Sequence, residues 1–195
     1  GYNRQHTALD LHDRKCDQNL ARLHKAGIQG VRTVSGDACE LDAVLTSFDA
    51  MLGKPVLFDT VFIDAPCSGT GTMRRHPEIP WRLTEKDVTT ELPRLQLTML
   101  KEAAARVAAG GELIYATCSV FDEENTQVVD AFLSSPEGAD FSLAPLSEAQ
   151  ILQLPDFAQA KKLVSLRQND RGLFQSVPVN ADSYDGHFCA RLVHK

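Results

Sequence analysis

The chain has 195 residues, of which 43% are hydrophobic and 24% charged, and it carries a formal net charge of −6. Such a composition suits one globular domain with a sizeable core, and a field of that sign counts mildly against nucleic acid as a partner. The sequence has neither an apolar run of bilayer-spanning length nor a basic-start signal segment, which argues against a membrane role.

The first six residues, Gly1 to His6, are polar and patternless, and Thr7 to Leu11 then reads as a short strand that ends beside Asp10. An acid at a strand tip can accept hydrogen bonds from ribose hydroxyls; it can equally close a turn or cap a helix. From Asp13 to Ala26, Cys16, Leu20, Leu23 and Ala26 recur at three- and four-residue steps, which predicts an amphipathic helix stopped by Gly27. Val31 to Val34 is the next strand, followed by Ser35-Gly36-Asp37-Ala38, again a strand that runs out at a small residue and an acid. Val44, Leu45, Phe48 and Leu52 give the apolar face of a second helix, from Asp42 to Leu52, which Gly53-Lys54-Pro55 ends.

A third strand is expected from about Asp59 to Asp64. Its run Val61-Phe62-Ile63 favours burial, and it leads into Asp64-Ala65-Pro66-Cys67-Ser68-Gly69-Thr70-Gly71. Pro66 has no N–H and stops the ladder, while Gly69 and Gly71 permit a tight backbone. An acid and a thiol are therefore held at a strand's C-terminal tip, the edge where ligands bind in open α/β sheets. A long loop, Ala65 to Arg82, carries Arg74, Arg75, His76 and Trp81. The Arg-Arg-His cluster reads more readily as a solvated loop than as a phosphate site, and Trp81, beside Pro80, more readily as packing than as a base-stacking residue.

Thr84 can cap a turn with Asp87, and Pro93 fits the first turn of a strong helix, Leu92 to Val107, ending at Gly110-Gly111. The double glycine turns the chain into a fourth strand, Glu112 to Thr117, which runs out at Cys118-Ser119. Phe121-Asp122-Glu123-Glu124-Asn125 opens another helix, its acids suited to the positive helix end. Phe141 to Leu143 is a candidate strand, Lys161 to Arg167 gives no pattern, and Leu173 to Val177 forms a hairpin with His187 to Val193 through a turn around Asp182 to Asp185.

Strands alternating with helices predict an α/β fold, a mostly parallel sheet with helices on both faces. Three strand tips then carry acids, Asp10, Asp37 and Asp64, and two carry thiols. Five cysteines without a CxxC pair argue against a disulfide framework or a zinc site and for a reducing, cytoplasmic setting. Cys16 and Cys189 sit on the patterns of a helix and a strand and read as small buried hydrophobes, as does Cys39. Cys67 and Cys118 lie past the ends of their apolar runs, where a thiolate can act as a nucleophile.

The segment Asp64 to Gly71, followed by Arg74-Arg75-His76-Pro77, resembles the Sun/nucleolar-protein family of RNA cytosine-C5 methyltransferases. Tyr115-Ala116-Thr117-Cys118-Ser119, Glu123-Glu124-Asn125 and Asp185-Gly186-His187-Phe188 add to the likeness, with His187 where the family has Phe. The likeness covers nearly the whole chain, least between about Ser135 and Arg171, and its bacterial 16S rRNA branch is nearest. It implies a Rossmann-like methyltransferase sheet, S-adenosylmethionine as cofactor, RNA, in particular 16S rRNA, as partner, and no metal. By position Asp10 matches the ribose acid, Asp37 the adenine acid, and Asp64 the acid near methionine and target base. Cys118 matches the nucleophile and Cys67 the thiol that aids product release.

The family's first strand and Gly-rich loop precede the ribose acid, and here only nine residues precede Asp10. The expectation is one catalytic domain, residues 1–195, truncated at its N-terminus. Weak or absent binding of S-adenosylmethionine follows, and calorimetry giving micromolar affinity would overturn it. The missing strand lies mid-sheet in the family, so its absence predicts an altered sheet or self-association across an exposed edge. Two other readings stay open: a catalytically silent RNA-interaction module, and a cysteine hydrolase using His76.

Overall fold

A computed structural model of the chain describes residues 6–147, 150, 167–178 and 184–195. Of the expected hairpin turn, Asp182 and Ser183 lie outside the described residues, as do Lys161 to Ser165 and Leu166. The element order is β1 (His6–Asp10), α1 (Asp13–Lys25), β2 (Val31–Ser35), α2 (Leu41–Leu52), β3 (Phe58–Asp64), α3 (Leu92–Ala104), β4 (Val107–Thr117), α4 (Thr126–Leu133), β5 (Phe141–Leu143), β6 (Phe174–Ser176) and β7 (His187–His194). The expected α/β alternation is present, and the chain divides into two compact units, residues 1–56 and 57–195.

In the first unit β1 and β2 form a parallel pair in which Asp10 lies opposite Ser35. Helix α1 packs on both strands. Its Cys16 is buried and donates its S–H to the Val34 carbonyl at 3.2 Å, so this cysteine is a packing residue, as its helical spacing implied. Gly36 follows β2 where α2 comes closest: a Cβ there would lie 2.4 Å from Val44 Cγ2, so only glycine admits the helix.

The second unit holds a five-stranded sheet in the order β3-β4-β7-β5, with β6 also on β7. β3 and β4 are parallel; β7 runs antiparallel to β4, β5 and β6. Among the described residues the strands thus form two sheets, and β3 ends its sheet with Phe62 exposed. Leu113 and Tyr115 of β4, Leu100 of α3, Val129 and Phe132 of α4, and Leu192 of β7 are fully buried and make the core. Alternate burial along β4 and β7 follows from the two-residue period of a strand.

Two boundaries differ from expectation. Helix α3 ends at Ala104, and the chain is already in β4 by Val107. Gly110 and Gly111 lie inside that strand, where the register jumps from Phe58↔Val107 to Thr60↔Glu112, and Gly110 adopts φ +75°. The double glycine makes a bulge in a ladder instead of a turn after a helix. Likewise Asp122–Glu124 form a separate 3₁₀ turn before α4, and Glu124 is fully buried, so it is not an acid serving the helix end from solvent.

Candidate active site

Within the second unit the parallel pairing of β3 and β4 sets the tips of both strands side by side, with Asp64 opposite Ala116. Pro66 then carries the chain out of the ladder, and Gly69 takes a left-handed φ of +72°. This returns the loop so that Gly71 N–H donates to the Cys118 carbonyl at 2.8 Å. The Gly71 carbonyl in turn accepts from Gly186 N–H at 2.8 Å, and a Cβ on Gly71 would lie 2.2 Å from the Gly186 oxygen. Glycine at both positions is therefore a condition for the loop, the β4 tip and the start of β7 to cross.

The result is that Cys67 Sγ and Cys118 Sγ lie 3.3 Å apart. At that distance a proton on one sulfur can bridge to the other, so the pair gives up its first proton readily and its second only with difficulty. A thiol hydrogen bond from Cys67 pulls Cys118 down to about 7, against the opposing effects of burial and of the Asp64 and Glu124 charges. The same bond, with burial, pushes Cys67 well above the usual thiol range. At neutral pH about half of the pairs therefore carry a Cys118 thiolate held by a Cys67 thiol.

Asp64 itself is exposed. Because its charge opposes ionisation of Cys118, Asp64→Asn should move the midpoint of Cys118 alkylation by iodoacetamide to lower pH. A rate–pH profile checks this; an upward shift would mean that Asp64 helps to form the thiolate.

Each cysteine is followed by a serine, and both serines converge on one buried carboxylate. Glu124, with no exposed surface, accepts from Ser68 N–H at 2.8 Å, from the Ser68 hydroxyl at 2.6 Å and from the Ser119 hydroxyl. Gln96 of α3 donates to the same carboxylate at 3.2 Å and to the Pro66 carbonyl at 2.9 Å. Asn125 closes the arrangement: it accepts from the Thr117 hydroxyl at 2.6 Å and donates to the Ser119 carbonyl at 3.0 Å. Tyr115 donates its hydroxyl to the Glu124 carbonyl at 2.6 Å. Sequence reasoning missed Glu124, Ser68, Ser119 and Gln96. The available signal was the Cys-Ser repeat at both strand tips, two small hydroxyls in need of one acceptor.

In the first unit Asp10 and Asp37 stand at the same edge of the β1–β2 pair, where Gly36 N–H donates to the Asp10 carbonyl at 3.0 Å. Each carboxylate accepts one N–H from two residues on, His12 at 3.0 Å and Cys39 at 2.8 Å. The turn-closing role is therefore real, and it engages one oxygen of each acid. The two acids share one unit; Asp64, Cys67 and Cys118 share the other.

The Arg74-Arg75 cluster is held by the start of β7: Arg75 Nε donates to Asp185 at 2.7 Å, its second nitrogen lies 2.6 Å from the same oxygen, and Arg74 lies 3.7 Å from the other. His76 faces Glu78 at 3.4 Å, and no histidine is bonded to either thiol among the described residues. Trp81 is 90% exposed, which corrects the packing expectation; the loop turns at Ile79–Trp81, leaving its ring outside. Among the described residues no helix is long and apolar enough to cross a membrane, and no group of three or more His, Cys, Asp or Glu could hold a metal ion.

A family model described as 16S rRNA methyltransferase RsmB/F matches residues 2–193. A relative from Salmonella arizonae, Ribosomal RNA small subunit methyltransferase B, is 38% identical over 139 residues, which is 71% of this chain and 27% of that protein. The chain thus spans about a quarter of the length of that relative. Among solved structures, PH0851 aligns with a TM-score of 0.74 and 28% identity, over 96% of this chain and 36% of that one. NSun6 from Pyrococcus horikoshii, solved with SFG, aligns with a TM-score of 0.70 and 21% identity, over 97% of this chain and 41% of that one, a likeness of fold.

Proposed function

We propose, from the premise that the chain belongs to the 16S rRNA methyltransferase RsmB/F family, that it carries the residues for S-adenosylmethionine-dependent methylation of cytosine C5 in RNA. The observation that supports this most is the 3.3 Å separation of the two sulfurs. C5 of cytosine is a poor nucleophile. Attack of the Cys118 thiolate on C6 forms an S–C6 bond and pushes the C5–C6 electron pair toward C5 and the ring. A proton taken up from solvent and shared between N3 and Asp64 offsets the charge that arises there. The target base must be unpaired or flipped out for C6 to be reached.

S-adenosylmethionine, when bound, supplies an electrophilic methyl group. Its donor set fits the acids present: Asp10 and Asp37 each keep one carboxylate oxygen without a partner among the described residues, an acceptor for ribose hydroxyls or an adenine amine. Once Cys118 is bonded to carbon it is no longer a thiolate. The hydrogen bond that kept Cys67 protonated is then gone, so Cys67 can release its proton to solvent and, as the thiolate, take the C5 proton. The C5–H electrons re-form the C5–C6 bond and expel Cys118 as thiolate. The pair is thus set to exchange roles during one turnover, acid partner first and base later.

RNA, in particular 16S rRNA, is the partner in this reading, the cytoplasm its setting, and the open edge of β3 the place where the chain would self-associate. The test is an RNA carrying 5-fluorocytidine, incubated with the chain and millimolar S-adenosylmethionine. Fluorine cannot leave as a proton does, so the adduct should persist on a denaturing gel and map to Cys118. An adduct at another residue, or none, would overturn the reading.

A further inference from the structure

The loop that follows Cys67 ends in a feature the proposed chemistry does not use. Trp81 is 90% exposed, although burial of so large a side chain would be favourable. Its position is nonetheless fixed. Successive backbone bonds run from Ile79 N–H to His76, from Trp81 N–H to Glu78 and from Arg82 N–H to Ile79, at 3.0–3.2 Å, with Pro80 inside the turn. Ile79 anchors the turn on the cysteine loop, its Cδ1 standing 3.3 Å from where a Cβ of Gly69 would be. Arg82, the next residue, lines a cavity of about 840 Å³ whose wall includes Cys67, Arg94 and Thr98. That volume is within the range of small-molecule sites. Arg74 and Arg75 are tied to Asp185, whereas the Arg82 guanidinium has no hydrogen bond or ion pair among the described residues.

We propose that Trp81 and Arg82 form a docking platform for the unpaired RNA strand beside the reacting cytosine, the indole stacking on a flanking base and the guanidinium meeting a phosphate. The inference rests on the RNA methyltransferase reading and deepens it by naming the contact. An indole on a backbone-fixed turn has only its own side-chain torsions to order on stacking, and every base offers a face to it. The cavity at Arg82 is also lined by Cys67, with Arg94 offsetting the acids Asp87 and Glu91 in its wall, so a strand laid over Trp81 can direct its neighbouring nucleotide inward. A net charge of −6 leaves little general attraction for phosphate, which makes a local cation that is outside any ion pair, with only the more distant field of Glu78 upon it, the more effective.

Trp81 is the single tryptophan of the chain, so its fluorescence reports this contact alone. Titration with a single-stranded cytidine-containing oligonucleotide should quench it, in parallel with a rise in anisotropy of dye-labelled RNA. Trp81→Ala should weaken binding about tenfold and Trp81→Phe less, without loss of circular dichroism signal. Arg82→Ala should lower the slope of log affinity against log salt by about one. Binding with unchanged fluorescence and an unaffected Trp81→Ala variant would overturn the platform and leave the methyltransferase reading intact, as would a partner protein that covers Trp81 while RNA does not. Absence of RNA binding would overturn the platform too, and the 5-fluorocytidine adduct at Cys118 would then judge the reaction separately.

Discussion

Replacing Cys118 by alanine should abolish every covalent complex with cytosine RNA, while replacing Cys67 by alanine should make such complexes accumulate on ordinary, non-fluorinated RNA. The two outcomes differ because the sulfurs, 3.3 Å apart, are assigned opposite roles. Without Cys118 nothing adds to C6. Without Cys67 addition and methylation still occur, but the C5 proton stays and the thioether is not expelled. Cys67→Ala should also slow the first step at neutral pH. The wild-type thiol, at about 7, is half ionised at pH 7, and its thiolate fraction falls tenfold for each unit below. Loss of the Cys67 donor returns Cys118 toward the ordinary thiol value of about 8.5, leaving roughly 3% thiolate at pH 7. Iodoacetamide alkylation at pH 7 should then slow by about 15-fold, and the profile should shift to higher pH. Denaturing gels of the RNA reaction, together with that profile, check both statements. Accumulation in the Cys118→Ala variant instead would reverse the assignment.

Replacing Glu124 by alanine should both destabilise the chain and separate the two sulfurs. The Ser68 and Ser119 hydroxyls can turn to each other, 3.1 Å apart, or to Thr70, so their loss is partly made good. The Ser68 N–H has no such freedom, and a buried donor left without a partner costs about 1–3 kcal/mol. The cavity left by the side chain adds to this. A loss of about 3 kcal/mol in all is expected, a fall of roughly 6–12 °C in melting temperature for a chain of this size. Loss of the Glu124 charge lowers the Cys118 midpoint slightly, but the Cys67 bond is the largest influence on Cys118 and that charge the smallest, so loosening the loops should raise the midpoint on balance. Glu124→Gln keeps the volume and one accepting oxygen, so it should lose less stability; with the loops held and an opposing charge removed, its Cys118 midpoint should move slightly down. Thermal melts and alkylation profiles of the two variants measure this. A Glu124→Ala chain as stable as wild type, with an unshifted midpoint, would show that the carboxylate is not what holds the loops.

How far the sequence revealed this arrangement depended on whether local pattern or distant partners decided it. The tips of β3 and β4 were readable because Val, Ile and Phe end abruptly and Pro66 forbids another ladder bond. Parallel pairing then placed Cys67 near Cys118 without further information. Cys16 was readable as a packing residue from its helical spacing. Glu124 was not, since an acid at a helix start ordinarily serves the helix end, and its burial depends on Ser68, 56 residues away. The α3–β4 boundary misled because a double glycine after an apolar helix and one inside a bulged strand look the same locally. Trp81 was read as packing from its usual habit; only the direction of the turn at Ile79–Trp81 puts it in solvent.

β7, last of the strands in chain order, lies between β4 on one side and β5 and β6 on the other. During vectorial synthesis β3 and β4 therefore emerge well before the strand that seals them, and Gly186, which clasps the Gly71 loop, arrives at the same late moment. Assembly of the sulfur pair accordingly waits on β7. A ribosome stalled before residue 186 would display both thiols on an unfinished sheet, open to chaperones and to stray electrophiles.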